Sequence, residues 1–192
     1  MDEKHLRRLL DETGLLLAYP DDDVLEEYEG VRTPALADSA RELRAIEPRD
    51  LRLHYTEIFD LRRKTCLYLT YFTDGDTRRR GAALAAFTAT YRESGFDMRG
   101  GELPDFLPVV CEYAAHVDLG AGLRILTFYR ASLLAMESAL AGTPFAEDPE
   151  RTTPYAPILS ELCAALPEPT GRDRKLVAEL VSSGPPTESV GV

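Results

Sequence analysis

Apolar side chains recur along this chain at steps of three and four, the spacing of one helix face. Leu6, Leu9, Leu10, Thr13, Leu16 and Leu17 trace a first helix ending near Tyr19-Pro20. Asp21 to Asp23 can cap a short second helix through Tyr28, closed by Gly30. Thr33-Pro34 reads as a cap plus first-turn proline for a helix reaching about Ile46, and Pro48 opens a segment running to Phe59. Leu84, Phe87 and Tyr91 mark the buried side of a helix from Asp76 to Ser94, stopped by Gly95, and Gly100-Gly101 then breaks the chain. Asp105 is placed to cap the next helix, with Pro108 in its first turn and Val109, Val110, Tyr113, Ala114 and Val117 continuing to Leu119.

The clearest period is Leu126, Tyr129, Leu133, Met136 and Leu140, one helix bounded by Gly120 and Gly142. Tyr155, Ile158, Leu159, Leu162 and Leu166 make another. From Pro167 the apolar density falls, so 167–192 is expected as a largely disordered tail with a short helix around Leu176 to Val181. Residues 1–166 then form the folded domain. Thr65 to Thr73 resists this scheme: its β-branched and aromatic residues favour a strand. Without a hairpin signal on either side, a lone strand leaves its backbone unpaired. Leu61, Lys64, Thr65, Tyr68, Leu69 and Phe72 also fit helical steps, so a buried helix is expected there. The fold class is all-α, a single-domain helical bundle.

Composition adds bounds. The 192 residues are 44% apolar and 29% charged, enough to bury a core without staples. Acidic residues outnumber basic ones 33 to 22, a formal charge of −11 that argues against broad nucleic-acid binding and suits a basic partner. Cys66, Cys111 and Cys163 are odd in number and widely spaced, which implies no disulfide framework. No secretory signal and no run long enough to span a membrane is present, so the expected compartment is the cytoplasm.

Reactive motifs are missing. His5, His54 and His116 form no HxxxH or HExxH pair, there is no CxxC, and Asp74-Gly75-Asp76 lacks the later ligands of a calcium loop. Cys66 has no nearby base, and neither a G-x-S-x-G elbow nor a phosphate loop occurs. Nothing argues for an enzyme.

The unusual part is the middle, His54 to Gly81, where two arginine clusters flank a stripe of rings and carboxylates lie beside each cluster. As ordinary structure this is an aromatic core helix with a solvated basic face, each surface pair worth at most ~1 kcal/mol. As a binding surface it is a concave wall of rings whose charged rim orients an apolar or helical segment.

Within that stretch, FDLRRKTCLYLTYFTDGDTRRRG resembles a signature of the assembly chaperones of respiratory nitrate reductase, the NarJ or delta subunit proteins of the TorD-like group. Glu102 to Val110, ELPDFLPVV, resembles the family's second signature, ELPDxLPVVLE, with Cys111 in place of leucine. LLLAYP, from Leu15 to Pro20, fits its first helix. The resemblance covers about residues 6 to 165.

What it implies is an all-helical, non-enzymatic cytoplasmic chaperone with no cofactor of its own. Such a protein binds the N-terminal region of the nitrate reductase catalytic subunit and supports insertion of its molybdenum cofactor. A sibling role for a sulfoxide, amine-oxide or formate molybdoenzyme is the alternative. The expected partner is that catalytic subunit, with no nucleic acid, no stable membrane insertion, and a monomer or weak dimer. The implied client-peptide site draws on His54, Tyr55, Phe59, Arg62, Arg63, Tyr68, Tyr71, Phe72, Asp74, Asp76, Arg78, Arg80, Glu102 and Asp105. A helical client leader would lay its apolar side on Tyr68, Tyr71 and Phe72, and its basic residues would meet Asp74, Asp76, Glu102 and Asp105. Leu67, Leu69 and Leu107 are expected to stay in the core.

Overall fold

Helix α1 (Glu3–Leu17) begins at Asp2, whose carboxylate accepts from the His5 backbone N–H at 2.8 Å. Leu9, Leu10, Thr13, Leu16 and Leu17 of its predicted face are buried, and Leu6 is partly buried. The computed structural model describes residues 1–75, 77–98, 101–145 and 148–186, the side chains of 148–150 excepted. Asp21 caps α2 (Asp22–Glu27) through the Val24 N–H, and a 3-10 turn, Tyr28–Gly30, follows. Prolines occupy the first turns of α3 (Pro34–Arg44), α4 (Pro48–Tyr55) and α7 (Leu107–His116), where a missing N–H costs little. The Thr33 side chain makes no cap bond. Instead the buried Glu12 of α1 accepts from the backbone N–H groups of Arg32 and Thr33, each at 2.7 Å.

Helix α7 is the centre of the bundle. It lies against α1 on one side and α8 (Leu119–Phe128) on the other. Glycine permits both approaches: a Cβ on Gly14 would stand 3.1 Å from the Pro108 carbonyl oxygen, and one on Gly122 only 2.2 Å from the Ala114 Cβ. Arg7 closes the C-terminal end of α7 by donating to the Ala115 carbonyl at 2.8 Å. Helix α9 (Arg130–Ala141) packs on α5 (Leu69–Asp74) and α10 (Tyr155–Ala165), and α10 reaches α1 and α3.

Four expectations change. The long period from Leu126 to Leu140 is two helices, α8 and α9, meeting at Tyr129, because both present the same apolar face to one core. Only Leu69–Asp74 of the ring-rich segment is helical. Ahead of it Tyr68 bridges Phe106 as isolated antiparallel β, and the Leu67 carbonyl accepts from the Leu107 N–H at 2.8 Å, so a short pairing satisfies the backbone. The expected short helix in the tail runs as α11 (Gly171–Ser183), started by a Thr170–Asp173 capping box and held to α9 by buried Leu180 and the Arg130–Asp173 ion pair at 2.6 Å. An antiparallel ribbon, β1 (Pro144–Phe145) with β2 (Asp148–Thr152), was not foreseen; Thr143 bonds onward to the Thr153 N–H.

Helix α6 (Arg78–Glu93) begins after Thr77, whose side chain makes no cap bond, and only Phe87 and Tyr91 are buried along it. Asp76, expected as its cap, lies outside the described residues.

Candidate functional site

After α4 the chain widens into a π-helical turn, Thr56–Asp60. Such turns commonly re-aim side chains at functional positions. Here the turn keeps Phe59 in the core and leaves Leu61 73% exposed. The loop that follows is pinned by the buried Thr65 hydroxyl, which donates to the Ile58 carbonyl. This places Arg62, Arg63 and Cys66 on the wall of an open cavity of about 380 Å³. Tyr68 and Tyr71 form a second wall, with Arg80 from α6 and Leu103 from the loop before α7. Two segments separated in sequence by the whole of α6 therefore share one concave surface.

Arg80 organises the rings. Its guanidinium lies 5.7 Å from the centroids of both Tyr68 and Tyr71, within cation–π range. Its Nε donates to Thr70 Oγ1 at 3.1 Å, and its Nη2 stands 3.8 Å from the fully buried Asp105 carboxylate. Asp105 Oδ2 also accepts from the Thr70 backbone N–H at 3.0 Å and its hydroxyl at 2.5 Å. Tyr68 donates to Glu102 at 2.8 Å, and burial together with that carboxylate raises its phenol above the usual range. Arg63 Nε donates to the Tyr71 hydroxyl at 2.7 Å. The result is a fixed alternation of guanidinium and ring, apolar on its faces and rich in N–H donors at its edge.

The fourteen residues expected to bind a client separate into groups. Phe59, Arg62, Arg63, Tyr68, Tyr71 and Arg80 line the cavity, and Glu102 sits at its edge through Tyr68. His54, Tyr55 and Phe72 are corrected to core positions. His54 is stacked among Phe145 and Tyr155 and bonded to Thr153 at 2.9 Å, and Tyr55 donates to the Leu17 carbonyl at 3.0 Å. Phe72 is sealed beneath α5 at 1% exposure. Asp105 is corrected too: it is fully buried and does not line the cavity, and its Oδ2 accepts from Thr70 and faces Arg80. Asp74 faces a different groove, with Phe87, Phe128 and Tyr129, while Arg78 is exposed and does not line the cavity. Asp76 lies outside the described residues.

The sequence reading passed over Asp60, Leu61, Cys66 and Leu103, all of which line the cavity. All four stand inside the two quoted signatures, so the signal was present. Leu67, Leu69 and Leu107 are in the core, as expected. Among the described residues no three or more His, Cys, Asp or Glu side chains cluster to hold a metal ion, and no helix is long and apolar enough to cross a membrane. Burial raises the Cys111 thiol to about 12 and lifts Cys163 as well, with help there from Glu137.

Comparison with known proteins agrees with this architecture. Residues 25–141 match the family described as nitrate reductase delta subunit. The chain is 39% identical over 157 residues to the nitrate reductase-like protein NarX of Mycobacterium tuberculosis, spanning 78% of this chain but only 23% of NarX. It is 31% identical over 162 residues to a nitrate reductase molybdenum cofactor assembly chaperone, NarJ, of Bacillus subtilis, covering 79% of this chain and 84% of the relative. NarJ of Escherichia coli is 37% identical over 105 residues, 55% of this chain and 44% of that protein. A redox enzyme maturation protein from Archaeoglobus fulgidus superposes with a TM-score of 0.61 at 20% identity, over 82% of this chain and 91% of that one, and shares the all-α fold. By sequence, and with a fold to match, this chain belongs to the nitrate reductase delta subunit family.

Proposed function

We propose that this chain is a non-enzymatic, cytoplasmic assembly chaperone for nitrate reductase. It docks the N-terminal region of the catalytic subunit and supports insertion of that subunit's molybdenum cofactor, holding no cofactor itself. The observation that carries the reading is the convergence of both signature segments on one open, ring-walled cavity lined by guanidinium groups. At about 380 Å³ it is near the lower end of ligand-site volumes, ~300–1,000 Å³. That size suits side chains of a client segment rather than the full girth of a helix. Tyr68 and Tyr71 give apolar contact at low entropy cost, and the arginines give donors for client carbonyls or carboxylates. Ordering a flexible segment costs several kcal/mol, so the complex is expected to be modest in affinity and able to dissociate.

Calorimetric titration with a synthetic peptide of the catalytic subunit's N-terminus tests this. A saturable heat is expected, weakened about tenfold by Tyr71→Ala, a loss of about 1.4 kcal/mol. No heat at high micromolar peptide, with the helical circular dichroism intact, would remove the docking reading. Capture of a different molybdoenzyme subunit from nitrate-grown cells, in place of nitrate reductase, would redirect the client assignment.

A further inference from the structure

The edge of the cavity is already in use by this chain's own C-terminal segment. Arg63, which bonds the Tyr71 hydroxyl through Nε, turns its Nη2 outward and donates to the Pro185 carbonyl at 2.9 Å and the Pro186 carbonyl at 3.5 Å. Neighbouring Lys64 donates to the Val181 carbonyl at 2.7 Å. Gly184, at φ +75°, ends α11 and sends the chain across to Gly75, where a Cβ would come within 2.2 Å of the Pro186 carbonyl oxygen. The groups recognised are main-chain oxygens. The two prolines have no N–H to offer in return, so the contact reads backbone and not side-chain identity.

We propose that Arg63 is a receptor for main-chain carbonyl oxygens, and that residues 184–186 occupy it as a built-in competitor which a client segment must displace. This rests on the reading of the cavity as the docking site. The competitor is well tethered. Leu180 is 5% exposed against α9, and Asp173 is paired with Arg130 at the start of α11. Among the described residues its hydrogen bonds to the cavity edge run only through main-chain carbonyls, so a client with side chains to place in the cavity can outbid it. Release of the client would be favoured by return of the segment, a local device for letting go.

The test uses the full chain and the synthetic N-terminal peptide of the nitrate reductase catalytic subunit. Leu180→Ala loosens the tether without touching the cavity, and is expected to bind the peptide several-fold more tightly than the unaltered protein. In the unaltered protein, saturating peptide is expected to speed hydrogen exchange of the Gly184 amide, which donates to the Leu180 carbonyl at 2.8 Å when the segment is docked. Equal affinity together with unchanged exchange would overturn the competitor while leaving the docking site standing. Absence of binding by either form would overturn the docking reading and the competitor with it. If Leu180→Ala fails to fold, Lys64→Ala, with the exchange measurement on the unaltered chain, decides the same question.

Discussion

Asp105 caps a helix to which it does not belong. Its carboxylate, four residues before Val109 in the signature ELPDFLPVV, accepts both the backbone N–H and the hydroxyl of Thr70 at the start of α5. The first turn of a helix carries unpaired N–H groups and a partial positive charge, both of which favour an anion. Arg80 lies within reach of the same oxygen, so one buried carboxylate joins α5, α6 and the loop before α7.

Removal of that carboxylate leaves the Thr70 N–H and hydroxyl without their acceptor and takes the anion from beside Arg80. Breaking a buried pair costs roughly 3–5 kcal/mol. Asp105→Ala is expected to lower the unfolding free energy by about that amount, read from urea midpoints, with Asp105→Asn less damaging because one acceptor oxygen remains. Loss of stability below about 1 kcal/mol would mean that the cap is supplied elsewhere.

Cys66 and Cys111 should separate by reactivity. Cys66 lines the open cavity, whereas Cys111 is fully buried with its thiol pushed up to about 12. Thiolate availability sets the rate of alkylation. Mass spectrometry after limited maleimide treatment is expected to find Cys66 modified well before Cys111, and saturating client peptide to slow modification of Cys66.

Acid sensitivity should include a share from His54. Burial, reinforced by Arg62, holds its imidazole down at about 4 against an ordinary 6.5. The folded protein keeps this ring neutral while the unfolded chain takes up the proton first. The stability that neutral His54 contributes is therefore complete above about pH 6.5 and is lost as pH falls from there toward 4. His54→Gln is expected to flatten the dependence of the urea midpoint on pH across that window, and an unchanged slope would assign the effect to other groups.

Helix α7 leaves no room beside Ala114. Gly122→Val would drive a side chain into that backbone, and overpacking of this kind costs roughly 1–3 kcal/mol or more. A lowered melting temperature is expected, partly restored by adding Ala114→Gly.

Helix starts were readable where their causes are local: Asp21 and the first-turn prolines of α3, α4 and α7 each sit beside the turn they stabilise. Where the stabilising group comes from far along the chain, spacing misled. Asp105 looks like the cap of α7 but serves Thr70, and Glu12 rather than the Thr33 side chain holds the entry to α3. The site shows the same limit. Aromatic residues of one motif look alike in sequence, yet their places on the folded backbone differ in burial. Tyr71 reaches the cavity wall while Phe72, one residue later on a short helix, is enclosed. In α11, low apolar content left only a short helix around Leu176 to Val181 legible, while its full length and its anchorage through Leu180 and an ion pair with Arg130 were not.

The joint at Tyr129 acts as a ruler. Beyond it Arg130 is committed to the Pro167 carbonyl and to Asp173, both at 2.6 Å. One inserted residue there would swing α9 through ~100° and carry that guanidinium off its mates. Chain length at this corner is thus fixed from the far terminus, and relatives that gain or lose a residue here would need to re-anchor their last helix.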